Sequence, residues 1–270
     1  MIPPIIHYCW FGGRRLPKTA KACIRTWKKQ CPDYEIIEWN EESYDLGKAP
    51  LYVRQACQAK KWAFVTDYVR LQVVYECGGI YLDTDVELIR NLDPLRADRA
   101  YFGFETDNLI NTGHGFGAEK GAPVLQSLME EYERAFFFLP DGKVDNTPCT
   151  ERNTAALQKF GLVQDGSEQI LDGGIHIYPR SFFCPKDFES GEINCTEETY
   201  SIHLFDASWH SRWESYLWKK RRAYRKKYGE EKGRQKMKAW ERRHRALDVL
   251  MTEGLKGFVK KAFKKLSRRG

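Results

Sequence analysis

Asp67, Arg70, Asp83 and Asp85 lie in one short part of a 270-residue chain, and their types and spacing point to chemistry on a phosphate-bearing ligand. Asp83 and Asp85 form a D-x-D pair inside the run I-Y-L-D-T-D-V. Two carboxylates held together disfavour each other's ionisation, and a divalent cation between them removes that penalty. Hard oxygen ligands suit Mg²⁺ or Mn²⁺, ions that keep coordination positions open for substrate phosphates. Asp67 and Arg70 are three residues apart and so share one face of a helix. There they form a simple ion pair, or they meet a ligand, the carboxylate holding ribose hydroxyls and the guanidinium gripping phosphate oxygens.

Such groups need rigid elements behind them. Residues 56–77 are rich in apolar side chains with no Pro or Gly, which predicts an unbroken, largely buried helix in a helical region that starts at Leu51. Gly78-Gly79 ends it and turns the chain into a strand over residues 80–86. Alternation along that strand puts Tyr81, Asp83 and Asp85 on one face, which adds Tyr81 to the candidate ligand-binding set. Upstream, residues 2–10 read as a buried strand, residues 16–30 as a helix with Ala20, Cys23, Ile24 and Trp27 at helical spacing, and residues 34–39 as a second strand. This βαβ beginning predicts an α/β fold in which ligands bind beyond the carboxyl ends of strands, next to the turn Phe11-Gly12-Gly13. On residue type alone, Trp10 is a core residue.

Further along, residues 101–104 read as a strand, 123–137 and 154–160 as helices, and 174–178 and 182–185 as strands and turns. The passage N-T-G-H-G-F-G from Asn111 is no phosphate loop, since no Lys-Ser/Thr pair follows, and His114 reads as a loop histidine. Residues 106–120 and 140–150 are expected to be loops that contact a substrate. His203 falls on a strand that starts near Tyr200 and ends in a polar turn.

Hydrophobic residues make up 42% and aromatics 14% of the chain, which excludes a disordered protein, and no run of about 18 apolar residues offers a membrane span. The opening residues lack the basic start and apolar stretch of a secretory signal, so the expected address is cytoplasmic. The 8 cysteines show no C-x-x-C pair and no zinc-ligand spacing, and they are expected to be reduced structural thiols.

The run W-A-F-V-T-D-Y-V-R…Y-E-C-G-G-I-Y-L-D-T-D-V resembles the sugar-binding D-x-D region of glycosyltransferase family 32, which includes bacterial capsule and polysaccharide enzymes. It is also similar to the glucosyltransferase domains of large clostridial toxins. The opening I-P-P-I-I-H-Y-C-W-F-G-G and the late H-L-F-D-A-S-W extend the resemblance across about residues 1–212. It implies a GT-A-type, Rossmann-like nucleotide-sugar-binding domain and a retaining, metal-dependent transfer from a nucleotide sugar, expected to be a UDP-sugar. The acceptor would be a glycan or a lipid-linked sugar of surface polysaccharide synthesis.

Residue by residue, the resemblance implies Asp85 as metal ligand, Asp83 near metal, ribose or sugar, Arg70 on the diphosphate and Asp67 on the donor. Trp10 would contact the nucleobase, with Gly12 and Gly13 allowing close approach, and Asn111 would stand near the donor sugar. His203 would be a further metal ligand, and its nitrogen favours Mn²⁺ over Mg²⁺. Ser208 and Trp209 resemble the pair that touches the diphosphate, while the place of Asp206 in the pattern stays open. No general base is identified, and the leaving phosphate is expected to assist the acceptor hydroxyl.

Charge divides the chain: residues 213–270 carry 21 Lys/Arg against 6 Asp/Glu, and residues 1–212 carry 23 against 31. The expected organisation is a transferase domain over 1–212 and a basic, partly amphipathic helical extension over 213–270. Leu255, Phe258, Val259, Ala262, Phe263 and Leu266 share one helical stripe opposite lysines, the pattern of a helix lying on an anionic membrane. The extension therefore predicts peripheral attachment at the inner membrane face. Nucleic acid, for which interleaved aromatic and basic residues are also compatible, is the disfavoured partner. The rival enzyme is a nucleotidyltransferase, which needs a basic, Gly-rich amino-terminal loop that Gly12-Gly13-Arg14-Arg15 matches only faintly.

Overall fold

The computed structural model describes residues 1–188, 190–206, 212–244, 247 and 251. They fall into two compact units, one of Met1–Lys186 with Ile193–Asp206, the other of Asp187–Glu192 with the described residues beyond Asp206.

The first unit opens with β1 (Ile5–Cys9), α1 (Lys18–Gln30) and β2 (Glu35–Trp39), the strands running parallel from Ile5↔Glu35 to Cys9↔Trp39. The inward stripe of α1 is Ala20, Cys23 and Trp27, and the Trp27 indole donates to the Val86 carbonyl at 2.7 Å. Next come α2 (Leu51–Gln58) and α3 (Trp62–Cys77), where the sequence predicts unbroken helix. The break is at Lys60, whose φ of 55° is left-handed, and the Lys61 N–H closes α2 by reaching the Ala56 carbonyl at 2.9 Å. That conformation costs a non-glycine residue about 1–2 kcal/mol. Packing offsets it: the break lets Tyr52, Val53 and Ala56 of α2 and Val65 and Val69 of α3 all reach full burial in one core.

Helix α3 is buried over most of its length and takes Asp67 and Arg70 inside with it. Gly78 and Gly79 end it at φ 70° and 115°, and a Cβ on Gly79 would stand 2.8 Å from the Ile5 carbonyl oxygen. Only glycine lets the chain enter β3 (Gly79–Tyr81) so close beside β1. There follow β4 (Val86–Leu88), β5 (Ala100–Thr106), β6 (Leu109–Ile110), β7 (Phe116–Ala118), α4 (Pro123–Glu133), α5 (Cys149–Leu157), β8 (Gln169–Leu171), β9 (Ile175–Tyr178), α6 (Arg180–Phe183) and β10 (Ser201–His203). Residues 182–183, expected in strand or turn, end the short helix α6 instead.

The main sheet runs β2-β1-β3-β7-β5-β9-β8, with β6 on β5, and a separate pair joins β10 to β4. β1 pairs in parallel with both β2 and β3, the Rossmann-like half of the α/β fold predicted from sequence, and β7 runs antiparallel to both neighbours. Strand alternation sorts side chains into two cores: Ile6, Ile80, Leu82 and Tyr101 go to one, Cys9, Tyr81, Phe102 and Phe104 to the other.

His7 ties these pieces together. Fully buried in β1, its Nε2 donates to the Gly78 carbonyl at 2.8 Å and its Nδ1 accepts from the Trp39 indole at 3.1 Å. Accepting the Trp39 N–H needs a neutral ring, and burial pushes its pKa below 6.5 against the opposing bond to Gly78. The unfolded chain then takes up the proton first, so this contribution to stability is complete above pH 6.5 and is lost as pH falls through the lowered folded value. His7→Gln should flatten the fall of the urea midpoint on mild acidification. An unchanged slope would assign the effect elsewhere.

In the second unit α7 (Arg212–Tyr228) and α8 (Glu230–Arg243) form a helical hairpin around Gly229, at φ 77°. A Cβ on Gly233 would come within 2.6 Å of the Arg225 Cα, so glycine lets the helices approach closely there. The stripe over residues 255–266 lies outside the described residues, and no helix among the described residues is long and apolar enough to cross a membrane.

Candidate metal and donor site

The two aspartates do not stand on a strand face. β3 stops at Tyr81, β4 starts at Val86, and residues 82–85 turn between them. The Leu82 N–H still donates to the His7 carbonyl at 3.0 Å, but the Asp83 N–H goes to Gly113 at 2.9 Å, and the Val86 N–H closes the turn on the Asp83 carbonyl at 3.0 Å. Capture of the Asp83 amide by the loop before β7 ends the regular ladder. The turn, not the pleat, sets Asp83 and Asp85 side by side.

Beside them α3 presents a nearly closed ion pair. Arg70 stands 3.0 Å from Asp67 and 3.5 Å from Asp83, with its side chain only 4% exposed. Its Nε donates to the Thr66 carbonyl at 3.1 Å and its guanidinium lies 5.1 Å from the Tyr81 ring centroid. The Tyr81 hydroxyl in turn donates to Asp83 at 2.8 Å. Burial works against the charge on Arg70, but Asp83, Tyr81 and Asp67 outweigh it and raise its pKa, so it remains a cation. Burial pushes Asp67 up to about 6 despite the pull of Arg70. Asp83 is likewise raised by burial, with Arg70 opposing and Asp85 adding to the rise.

Several members of this site carry no signal in the spacing. Thr112 accepts from Arg70 at 3.5 Å and from the Asn153 amide at 2.9 Å, which places Asn153 of α5 behind the guanidinium. Gly113 lies against three polar groups: a Cβ there would meet Asp83 Oδ2 at 2.4 Å, Asn111 Oδ1 at 3.0 Å and Arg70 Nη1 at 3.1 Å. The one usable sign was glycine in the passage after Asn111, where close approach rather than phosphate binding demands it. Asn111 itself is buried, accepts the Gly113 N–H at 2.6 Å and donates to Glu105. It braces the loop around Asp83. Arg70→Lys keeps the charge but loses the planar fork, and we expect it to lower kcat/KM about 10²-fold with little loss of folding midpoint. A near-native kcat/KM would remove Arg70 from the donor contacts.

His203 arrives from the other side. β10 pairs with β4 so that His203 lies opposite Val86, one residue past Asp85. Its Nε2 is 3.5 Å from the Asp85 carboxylate, whose second oxygen accepts the Asp206 N–H at 2.8 Å. The Asp206 carboxylate faces elsewhere, accepting the Thr19 hydroxyl at 2.7 Å. Burial raises the Asp85 pKa, but the charge of His203 and the Asp206 amide overcome it and the carboxyl ends below its ordinary value. Burial lowers His203, yet Asp85 overcomes that too and leaves the imidazole well above 6.5.

One ligand atom from each of Asp83, Asp85 and His203 lies within 4.8 Å of the others. Ligands on opposite sides of an ion with bonds of about 2.0–2.6 Å stand roughly 4–5 Å apart, so the donor set fits one divalent cation. His114 is outside this set. It is fully buried in the loop expected from the sequence, stacks on Phe183 at 5.9 Å, and burial together with His203 pushes its pKa down to about 3.

Trp10, Gly12 and Gly13 occupy the turn beyond β1. The Trp10 N–H extends the parallel ladder to the Trp39 carbonyl at 2.8 Å, its indole donates to the Arg14 carbonyl at 2.5 Å, and the Gly12 N–H donates to Glu41 at 2.5 Å. These bonds run to the β2 side and do not reach the aspartate–histidine cluster. Trp10 and Gly13 line a cavity of about 300 Å³ with Arg14, Glu38, Asn40 and Glu41. Because β1 and β3 are parallel and in register at Ile6↔Ile80, this turn and Asp83 leave the sheet at the same carboxyl edge. Ser208 and Trp209 lie outside the described residues.

Parts of the chain are similar to known proteins. Residues 17–102, which hold Asp67, Arg70, Asp83 and Asp85, match the family described as glycosyltransferase sugar-binding region containing DXD motif. Inositol phosphoceramide mannosyltransferase 3 of Schizosaccharomyces pombe is 32% identical over 142 residues, a match covering 50% of this chain and 38% of that protein. The chain thus spans well under half the length of that relative. Among solved structures, the PaToxG glycosyltransferase aligns with a TM-score of 0.45 at 20% identity, over 58% of this chain and 69% of its own. A glycosyltransferase involved in glycosylation of the major capsid of PBCV-1 aligns with a TM-score of 0.41 at 12% identity, over 78% and 97%. Residues 17–102 of this chain are thus similar to the glycosyltransferase sugar-binding regions that contain the D-x-D motif.

Proposed function

We propose that this protein is a metal-dependent glycosyltransferase that moves a sugar from a nucleotide-sugar donor to a glycan or lipid-linked acceptor. The observation that carries this reading is the meeting of Asp83, Asp85 and His203 around one point, beside the buried Asp67–Arg70 pair. Asp85 and His203, joined by Asp83, would hold the divalent ion, and the imidazole favours Mn²⁺ over Mg²⁺. When bound, that ion neutralises charge developing on the departing diphosphate.

The residues of the chain supply the rest. Arg70, fixed by Asp67, Thr66 and Thr112, stays charged without reorganising and faces the same developing charge. Asp83, oriented by the Tyr81 hydroxyl, borders ribose or the donor sugar. Trp10 and the cavity after β1 take the nucleobase. In the transfer, the anomeric C–O bond to the diphosphate breaks, a C–O bond to the acceptor hydroxyl forms, and the hydroxyl proton passes to the leaving phosphate oxygen. The family resemblance supports retention of configuration with no protein nucleophile named. The relative's name supports a mannosyl donor and a lipid acceptor, which sets a GDP-sugar beside the UDP-sugar expected from sequence. Peripheral attachment at an anionic membrane surface through residues 213–270 belongs to the same reading.

Incubation with Mn²⁺ and a panel of UDP- and GDP-sugars tests it. One donor should release its nucleoside diphosphate slowly without acceptor, and EDTA should stop the release. No release and no metal-dependent donor binding across the panel would refute the assignment.

A further inference from the structure

The α7–α8 hairpin holds a groove of about 570 Å³ lined by Leu217, Arg221, Lys238, Trp240, Glu241, Arg242 and His244. The two helices carry 14 Lys/Arg against 4 Asp/Glu. Two of these four carboxylates are held by particular partners. Glu241 receives Arg221 through two hydrogen bonds, at 2.7 and 3.0 Å, which pins the α7 guanidinium across the groove, and Glu231 takes Arg234. Lys238 and Arg242 are one helical turn apart on α8, and among the described residues no ion pair engages either. Both line the same groove, where Lys238 also helps hold the Glu231 carboxyl below its ordinary value without pairing with it.

The groove floor is aromatic and held rigidly. Trp240 stacks on His244 at 4.1 Å, and Lys220 stands 4.3 Å from the Trp240 centroid, so the indole has little freedom to turn away. Tyr216, 45% exposed, meets Trp240 edge-on at 6.3 Å. An amphipathic ring beside paired cations is the composition of a membrane interface, where the ring sits at headgroup depth and the cations meet phosphate.

We infer that this groove binds the phosphate of an anionic phospholipid headgroup, with Lys238 and Arg242 on the phosphate oxygens and Trp240 against the glycerol and upper acyl region. Lipid rather than nucleic acid is the occupant because the groove lining holds a single tryptophan, one face of it already stacked on His244, beside the apolar Leu217, and no Tyr or Phe on which a second base could stack. The groove deepens the membrane contact proposed above and is independent of the donor chemistry. It turns diffuse attraction between basic residues and a charged surface into a defined headgroup position.

The test uses the full chain and vesicles of phosphatidylcholine with or without phosphatidylglycerol, read by co-sedimentation. Lys238→Gln with Arg242→Gln removes the two groove charges, and Lys226→Gln with Lys227→Gln removes the same charge from α7 outside the groove lining. With about 1 kcal/mol per basic residue at an anionic surface, the groove variant should lose roughly 30-fold in affinity for phosphatidylglycerol vesicles, and the charge-matched control clearly less. Circular dichroism and donor hydrolysis should stay unchanged in both. Equal losses in the two variants would overturn the groove while leaving diffuse membrane attraction in place. No binding of the unaltered chain to phosphatidylglycerol vesicles would overturn both, as would release from them by single-stranded RNA at equal phosphate concentration. Release by inorganic phosphate alone would make the groove a free-phosphate site. None of these outcomes depends on which sugar nucleotide, if any, the first unit turns over.

Discussion

Asp85→Asn lowers metal-dependent transfer by about 10³-fold, on the order of 4 kcal/mol of transition-state stabilisation, while the protein still folds. The expectation follows from where the carboxylate stands. It joins the turn after β3 to His203, with a side chain 19% exposed. Asparagine keeps an oxygen for the Asp206 N–H but removes the charge that draws a divalent ion and holds His203 well above its ordinary pKa. In the variant the imidazole sheds its proton more readily, so folding changes little while metal affinity collapses. In the unaltered protein, ion binding must displace the His203 proton, so metal affinity should rise with pH until the imidazole is neutral. Turnover at saturating donor against Mn²⁺ concentration, with urea unfolding of the same samples, checks both halves. Full metal-dependent turnover in Asp85→Asn would remove this residue from the centre.

Gly113→Ala is the second large expected effect, although the glycine it replaces carries no reactive group of its own. The added methyl would stand 2.4 Å from Asp83 Oδ2 and 3.1 Å from Arg70 Nη1. Asp83 cannot yield freely, because its amide is bound to the Gly113 carbonyl and its other carboxylate oxygen to the Tyr81 hydroxyl. Arg70 is confined by Thr66, Thr112 and Asp67. The methyl therefore pushes the carboxylate off its position, and a misplacement of about 1 Å in such a site costs roughly 10²-fold in rate. Overpacking should cost about 1–3 kcal/mol of folding free energy. Steady-state kinetics beside a thermal melt separates the two: wild-type kcat/KM in a folded Gly113→Ala protein would show that Asp83 has no strict position to keep.

What the sequence revealed and what it hid follow from the range over which each signal acts. Local chemistry was readable. Gly78-Gly79 marked the end of α3 because only glycine takes those φ values, and the apolar stripe of α1 placed Trp27 inward. Alternation between strand faces also held in β1 and β5, where Ile6 and Tyr101 part from Cys9 and Phe102. Signals failed where a distant partner decides. Lys60 has no local reason to turn left-handed, and the two helices on either side of it bury their faces only because it does. Asp83 left the strand because the amide it carries found the Gly113 carbonyl, thirty positions away in sequence, a pairing no periodicity encodes.

The site divides in the same way. Asp67 and Arg70 were linked by helical spacing, and their ion pair forms at 3.0 Å. His203 entered only through resemblance to a family, since a strand histidine by itself is a packing residue, and the antiparallel pairing of β10 with β4 is what sets it beside Asp85. Thr112, Gly113 and Asn153 had no such guide. They matter through contact with Arg70 and Asp83, and contact is a property of the folded chain.

The central claim is that Asp83, Asp85 and His203 together hold a divalent ion on which the diphosphate of a sugar donor rests. Anomalous diffraction at the manganese edge, from crystals grown with Mn²⁺ and the nucleoside diphosphate of the donor selected by the panel, tests it most directly. The account predicts a single strong peak within coordination distance of Asp85 and His203, contacting phosphate oxygens on its open side, and its loss in Asp85→Asn. A nucleotide bound in the cavity beyond β1 with no manganese between these three residues, or manganese held elsewhere on the chain, would contradict it.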